Sequence, residues 1–313
     1  MRNFLEVDDL SCDELEEVIR LSSVPPGELD GLLSRRGVAL VFEKPSARTR
    51  SSTELAVVAM GGHPVYIQGA EVGIDIRETA EDVARTLACY HSLICARVTD
   101  HDRLVRMARA LSEAGVDVPV VNLLSDSAHP CQALADLLTM RQVFGEVGGR
   151  TVAYIGDANN VWRSLSLTCA MAGVRMRIAS PDGYGPDTDD LERVVRLGGE
   201  LDVTDNPAEA AAGADVLYTD VWTSMGQEEE AETRRKAFAG FTVDDELLSR
   251  AAADAVVLHC LPAHRGEEVS ASVIDGPRSR VWQQGANRLH VMRGLLAWIV
   301  RAGALAHTLQ GEK

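Results

Sequence analysis

Residues 37 to 50 read GVALVFEKPSARTR, and the order of residue types in this stretch decides how the rest of the chain is read. Gly37 to Phe42 is a short apolar, β-branched run, the pattern of a buried strand. Pro45 interrupts it, and a proline holds the residue before it extended. From Ser51 to Met60 the sequence permits a helix. A strand feeding a polar turn at a helix N-terminus aims backbone N–H groups at one point. The Ser46 and Thr49 hydroxyls and the Arg48 guanidinium can join them there on a single anion. The helix macrodipole adds partial positive charge at the same place. The same residues also suit an ordinary helix N-cap flanked by exposed arginines. The stretch by itself leaves both readings open.

Upstream, Ser11 with Glu14 forms a capping-box pattern ahead of Leu15, Val18, Ile19 and Leu21 on helical spacing. Downstream, Gly61-Gly62-His63 breaks the chain before a strand at 64–67. Residues 68–77 then read as an irregular loop and 78–90 as an amphipathic helix. A strand at 93–97, a helix at 102–114 and a strand at 118–123 continue the alternation, which predicts a parallel sheet with helices on both faces. His129-Pro130-Cys131-Gln132 opens a long helix to about Phe144, and we place the domain change on it. A second series follows: strand 151–155, helix 160–172, strand 175–179, helix 187–197, strand 201–204, helix 207–212, and strands 216–219 and 255–259. The last helix, 288–302, is apolar enough to pack back. The reading is an α/β chain of two domains, 1–130 and 131–287, each a parallel sheet flanked by helices. Long interdomain helices join them, and the segment 288–313 returns to the first.

A chain of 313 residues is long enough for two domains with separate cores. The net charge of −16 argues against a broad nucleic-acid or anionic-membrane surface, so a bound anion needs locally concentrated cations. MRNFLEVDDL lacks the basic leader and apolar core of a signal peptide, and no apolar run reaches transmembrane length. Six cysteines without a CxxC pair suit reduced thiols in a cytoplasmic protein, most of them in the core. With only four Trp, five Tyr and five Phe, the cores must be aliphatic. The acidic cluster 227–232 reads as a solvated loop face.

In open parallel sheets, ligands bind beyond the carboxyl ends of the strands, and polar motifs recur at those places here. Arg97 ends one strand and His129 follows another. Gly156-Asp157-Ala158-Asn159-Asn160, the segment 220–226 and the segment 259–265 follow three more. The Gly156 turn lacks the further glycines that admit a dinucleotide pyrophosphate, which disfavours a dehydrogenase. His259, Cys260 and His264 suggest a metal, but adjacent residues leaving a strand point to opposite faces, so no metal site is assigned. A Cys260-based hydrolase would leave the arginine-rich turn unexplained.

FEKPSARTR, HPCQ, GDANN, DVWTSMGQE and HCLPAHRGEEV occur in this order and are followed by Asn287-Arg288-Leu289-His290. Together they resemble the ornithine carbamoyltransferase family over about residues 40 to 300. The resemblance implies a first domain for carbamoyl phosphate and a second for ornithine. It also implies a homotrimer with sites at subunit interfaces and a place in arginine metabolism and amino-acid biosynthesis, with no cofactor. Carried over by position, Ser46, Ala47, Arg48, Thr49 and Arg288 would hold carbamoyl phosphate. Arg97, His129 and Gln132 would surround its carbamoyl group. Asn160, Asp220, Ser224 and Met225 would grip the amino-acid head, and Cys260 and Leu261 would face the reacting amine. Arg48, Arg97, His129, Asp220 and Cys260 form the catalytic set. On this reading Cys260 orients the amine or accepts its proton, rather than attacking as a nucleophile.

Two departures from the family pattern stand out. Ala47 replaces the usual threonine and removes one hydroxyl, which predicts weaker carbamoyl phosphate affinity. Residues 68–77 read as longer and more acidic than the family's glycine turn, which predicts a rearranged loop whose carboxylates turn away or pair with arginine. Arg50 and Arg265 are left to structural ion pairs and Trp222 to packing. Two alternatives remain: a sister transcarbamylase for lysine, putrescine or a specialised amine, and a non-catalytic paralogue that binds carbamoyl phosphate. Asp220 with SMG favours a substrate carrying an α-amino acid head.

Overall fold

The protein is described from a computed structural model covering residues 2–25, 27–223 and 228–310. Helix α1 (Cys12–Ser22) opens on the anticipated capping box. Ser11 Oγ accepts the Glu14 N–H at 3.2 Å, and Glu14 Oε2 accepts the Ser11 N–H at 2.8 Å. Then follow β1 (Gly37–Phe42), α2 (Ala47–Ala59), β2 (His63–Gln68), α3 (Gly69–Val72), α4 (Ala80–Ala88), β3 (Leu93–Arg97), α5 (His101–Glu113) and β4 (Val120–Leu124). The four strands form one parallel sheet in the order β2-β1-β3-β4. Phe42 pairs with Gln68 on one side and Arg97 on the other, so three strand ends lie level. The Phe4 N–H donates to Val120 O and the Asn122 N–H to Phe4 O, which closes the β4 edge with the N-terminal segment.

The segment 68–77 is not the irregular loop expected. Gly69–Val72 forms a helical turn capped by its own acid, because Glu71 Oε1 accepts the Gln68 N–H at 3.0 Å. A Cβ on Gly69 would lie 2.6 Å from Glu43 Cα, so only glycine lets this turn press against the end of β1. Asp75, at φ 60°, accepts from both Arg103 and Arg106, which lowers its pKa. Glu43, inside the opening motif, accepts from Arg103 and from the Thr99 N–H at 2.7 Å.

The second series begins with α6 (Pro130–Phe144). It continues through β5 (Thr151–Ile155), α7 (Asn160–Met171), β6 (Arg175–Ala179), α8 (Thr188–Arg196), β7 (Leu201–Thr204), α9 (Pro207–Ala211) and β8 (Val216–Thr219). After it come α10 (Ala231–Ala237), α11 (Asp245–Arg250), β9 (Val256–His259), α12 (Ala271–Ile274) and α13 (Val281–Gln310). Its strands make a parallel sheet in the order β7-β6-β5-β8-β9. The acidic cluster expected as a loop face instead leads a helix. Residues 228–230 form a 3-10 turn running into α10, where Lys236 and the buried Arg234 supply partners. Gln227 lies outside the described residues.

The chain divides into two compact units. One runs to Ala135 and resumes at Ala286; the other spans Asp136–Gly285. Chain passage between them occurs within α6 and α13. Both cores are aliphatic: Val41, Ile94, Val83 and Leu104 in the first, Ile155, Leu217, Val257 and Val273 in the second. Helix α13 is longer than the 288–302 expected, starting seven residues earlier at Val281 and running to Gln310, with Gly294 inside it. A Cβ there would stand 2.6 Å from Ser22 N and 2.7 Å from Val18 O, so the glycine is a contact with α1. Burial holds for only half the cysteines: Cys95, Cys131 and Cys169 are buried, Cys260 is half-buried, and Cys12 and Cys89 are exposed. Among the described residues no helix is long and apolar enough to cross a membrane.

Candidate active site

In the first unit the opening motif folds as its residue order suggests. Ser46 caps α2, its Oγ accepting the Thr49 N–H, so Ala47 and Arg48 occupy the first helical turn with no acid among them. Thr49 is 2% exposed, and its Oγ1 accepts from Arg288 Nη2 at 2.8 Å. That bond brings a residue of α13 to the turn across 239 positions of sequence. Arg48 is exposed, whereas Arg97, His129, Gln132 and Arg288 are buried.

The charges identify what this pocket suits. Burial, followed by the charges of Arg288, Arg97 and Arg48, pushes the His129 pKa well below its ordinary value. The imidazole is therefore neutral near pH 7 and can donate an N–H without carrying charge. Burial and the same two neighbours draw Arg97 down to about 10, still protonated. Its Nε is buried with no hydrogen-bond partner among the described residues. Arg288 and Arg48 lie close enough to Arg97 to disfavour its charge, a repulsion that an anion bound among them would offset. Burial holds the neighbouring thiol of Cys131 up at about 12, so the cysteine of HPCQ is no thiolate.

In the second unit Asp220 follows β8 and Cys260 follows β9. Their strands are hydrogen-bonded neighbours, and Thr219 pairs with His259, which sets the two side chains side by side. Cys260 Sγ donates to Asp220 Oδ1 at 2.9 Å, and the same oxygen accepts the Val221 N–H at 2.8 Å. Asp220 thus caps its own loop and holds the thiol through the same oxygen. Asn159 reaches Asp220: its Nδ2 donates to Oδ2 at 2.9 Å. Its Oδ1 caps α7 by accepting the Val161 and Trp162 N–H groups. Asn160 is the first residue of that helix. Ser224 and Met225 lie outside the described residues.

Below the thiol, His259 and Glu268 form a buried pair 3.0 Å apart. His259 Nδ1 accepts the Leu261 N–H at 2.9 Å, which places the ring proton on Nε2 toward Glu268. Leu261 takes φ 58°, a left-handed turn in which that N–H folds back to its own histidine. This corrects the strand-alternation argument about metals. Potential ligand atoms of Asp220, His259 and Cys260 lie within 4.8 Å of one another. Both His259 nitrogens are nevertheless committed to Leu261 and Glu268. His264 groups instead with Glu267 and Glu268, and its side chain is 49% exposed.

Sequence reasoning missed Asn159, Glu268 and Arg234. The buried Arg234 guanidinium donates to Asp157 Oδ2 at 2.7 Å and Trp222 O at 3.0 Å, tying the Gly156 turn to the loop after Asp220. The only sequence signal for Asn159 was the doublet Asn159-Asn160, which does not say which asparagine caps. Arg50 and Arg265 pair with Glu54 and Asp275, and Trp222 stacks on Phe238 at 5.7 Å.

Two family models match the chain. The aspartate/ornithine carbamoyltransferase carbamoyl-P binding domain covers residues 2–142, and the Asp/Orn binding domain covers residues 148–299. An ornithine carbamoyltransferase of Acidothermus cellulolyticus is 50% identical over 310 residues, covering 96% of this chain and 97% of that one. The crystal structure of ornithine carbamoyltransferase from Thermus thermophilus superposes with a TM-score of 0.86 at 43% identity, covering 96% of this chain and 99% of that one. The ornithine carbamoyltransferase from Pyrococcus furiosus gives 0.88 at 40% identity, covering 95% and 96%. With two parallel-sheet units, a cationic pocket in one and an Asp–Cys cluster in the other, the chain belongs to the aspartate/ornithine carbamoyltransferase family.

Proposed function

We propose that the protein transfers the carbamoyl group of carbamoyl phosphate to the δ-amine of L-ornithine, giving L-citrulline and phosphate. The observation that carries the reading is the concentration of Arg48, Arg97 and Arg288 around a neutral, buried His129, in a chain 50% identical to an ornithine carbamoyltransferase. The Ala47 and Arg48 N–H groups, Ser46, Thr49, Arg48 and Arg288 hold the phosphate. Arg97 and the His129 N–H polarise the carbonyl oxygen, with Gln132 beside them. In the second unit, Asn160, Asp220, Ser224, Met225 and Leu261 bind ornithine, and Cys260 faces the amine.

An alkylammonium with a pKa of about 10.4 must lose its proton before it can attack. The free amine adds to the carbonyl carbon, and the oxyanion that forms is stabilised by Arg97 and His129. The carbon–oxygen bond to phosphate then breaks, and phosphate leaves with the electron pair into the arginine pocket. The Asp220–Cys260 pair orients the amine and takes up its proton. No cofactor enters this scheme, because phosphate is already the leaving group. The reading extends to a cytoplasmic homotrimer with sites at subunit interfaces. Exposed Leu55, Val58 and Ile76 in the first unit support self-association, which sedimentation measures directly.

The deciding experiment supplies carbamoyl phosphate with ornithine, lysine or putrescine and scores the ureido product. Ornithine is the expected substrate. Preference for another amine overturns the acceptor, and no product from any amine overturns the enzyme.

A further inference from the structure

Asp136 and Gln284 stand beside the two points where the chain passes between units, since the first unit ends at Ala135 and resumes at Ala286. Both side chains are fully buried in the second unit. Gln284 Nε2 donates to Asp136 Oδ1 at 2.6 Å and to Tyr218 Oη at 3.3 Å, and Tyr218 Oη donates in turn to Asp136 Oδ2 at 3.2 Å. The far side of the same amide, Gln284 Oε1, accepts the backbone N–H of His259 at 3.0 Å. This arrangement admits one amide orientation. A backbone N–H needs the oxygen and a carboxylate needs the NH2 group.

His259 is the last residue of β9, and Cys260 is the next. β9 is the edge strand of its sheet, so its outward N–H groups have no further strand to meet. Val257 N–H finds Arg278 O, and two residues on, His259 N–H finds the Gln284 side chain. A glutamine from α13 thus stands in for a strand at the last hydrogen bond before the thiol.

We infer that Gln284 is a positioning residue for the Cys260–Leu261 loop: seated by Asp136 and Tyr218, it fixes where β9 ends and hence where the Cys260 thiol is presented. It touches no reacting atom and acts through the His259 backbone. The assignment rests on the reading that this loop faces the amine substrate.

The test compares wild type, Gln284→Met and the pair Asp136→Asn/Gln284→Glu. Methionine keeps the side-chain length and removes all three hydrogen bonds. In the pair, the new carboxylate at 284 still accepts the His259 N–H, and the new amide at 136 donates to it. Q284M should raise the ornithine KM on the order of tenfold, the scale of one buried donor losing its acceptor, and leave the carbamoyl phosphate KM unchanged. The paired variant should bring the ornithine KM back toward wild type. A readout independent of activity is alkylation of Cys260 by iodoacetamide, followed by peptide mass: its rate should rise in Q284M and return in the pair. The inference is overturned if Q284M alkylates at the wild-type rate. It is overturned equally if the pair fails to restore either readout, or if both KM values rise together with a fall in melting temperature, the mark of a merely structural role. If wild type yields no citrulline, the ornithine reading fails instead, and the alkylation comparison still decides the positioning role.

Discussion

Replacing Asn159 with aspartate exchanges one nitrogen for oxygen and leaves the shape of the side chain intact. The retained Oδ1 still accepts the Val161 and Trp162 N–H groups at 2.9 and 3.1 Å, and a negative charge at a helix N-terminus is favourable. Helix α7 should therefore keep its cap. The exchanged atom sits 2.9 Å from Asp220 Oδ2, so a donor bond to a carboxylate becomes oxygen against oxygen. A hydrogen bond to a charged group contributes about 1.5–3 kcal/mol. Its loss should raise the ornithine KM by roughly tenfold to hundredfold and leave the carbamoyl phosphate KM unchanged. Asn159→Ala is the contrast, because it also removes the cap and should cost about 1 kcal/mol of stability. Initial rates with varied ornithine, together with urea denaturation of both variants, separate the two roles. A wild-type ornithine KM in Asn159→Asp, or equal destabilisation by both changes, would refute the division of labour between Oδ1 and Nδ2.

Two further predictions concern the first unit. Gly294→Ala adds a methyl against Ser22 N and Val18 O, backbone atoms that cannot swing aside. Overpacking of about 1–3 kcal/mol should outweigh the helix-propensity gain of about 1 kcal/mol from replacing glycine, so the urea midpoint falls; an unchanged midpoint contradicts the close approach. The second concerns His129, whose folded pKa lies below its unfolded value of about 6.5, so folding expels a proton wherever the unfolded imidazole is charged. Its contribution is fully present above about pH 6.5 and is lost as pH falls toward the folded pKa. The stability difference between wild type and His129→Gln should therefore move against wild type on acidification. A difference that stays flat with pH would mean the imidazole is not held neutral.

Both sheets and most element boundaries were readable because the relevant signals are local. The runs Thr151–Ile155 and Arg175–Ala179 fold where hydrophobic pattern and flanking residues place them. The helical turn at Gly69 was not readable for the opposite reason: its glycine is required by a second segment, since a Cβ there would meet Glu43. The acidic run before α10 was misread because its partners Arg234 and Lys236 only count once the chain is helical.

By itself the sequence determined the α/β alternation, the two-unit organisation along the chain and which strand ends carry polar motifs. Periodicity and capping act over a few residues and are written in residue order. Only the tertiary structure decided that Arg288 meets Thr49, that Asn159 holds Asp220, and that Gln284 finishes strand β9. Those contacts join residues tens to hundreds of positions apart. Burial then gives them their character: it keeps His129 neutral among arginines and makes one amide orientation of Gln284 the only satisfied one.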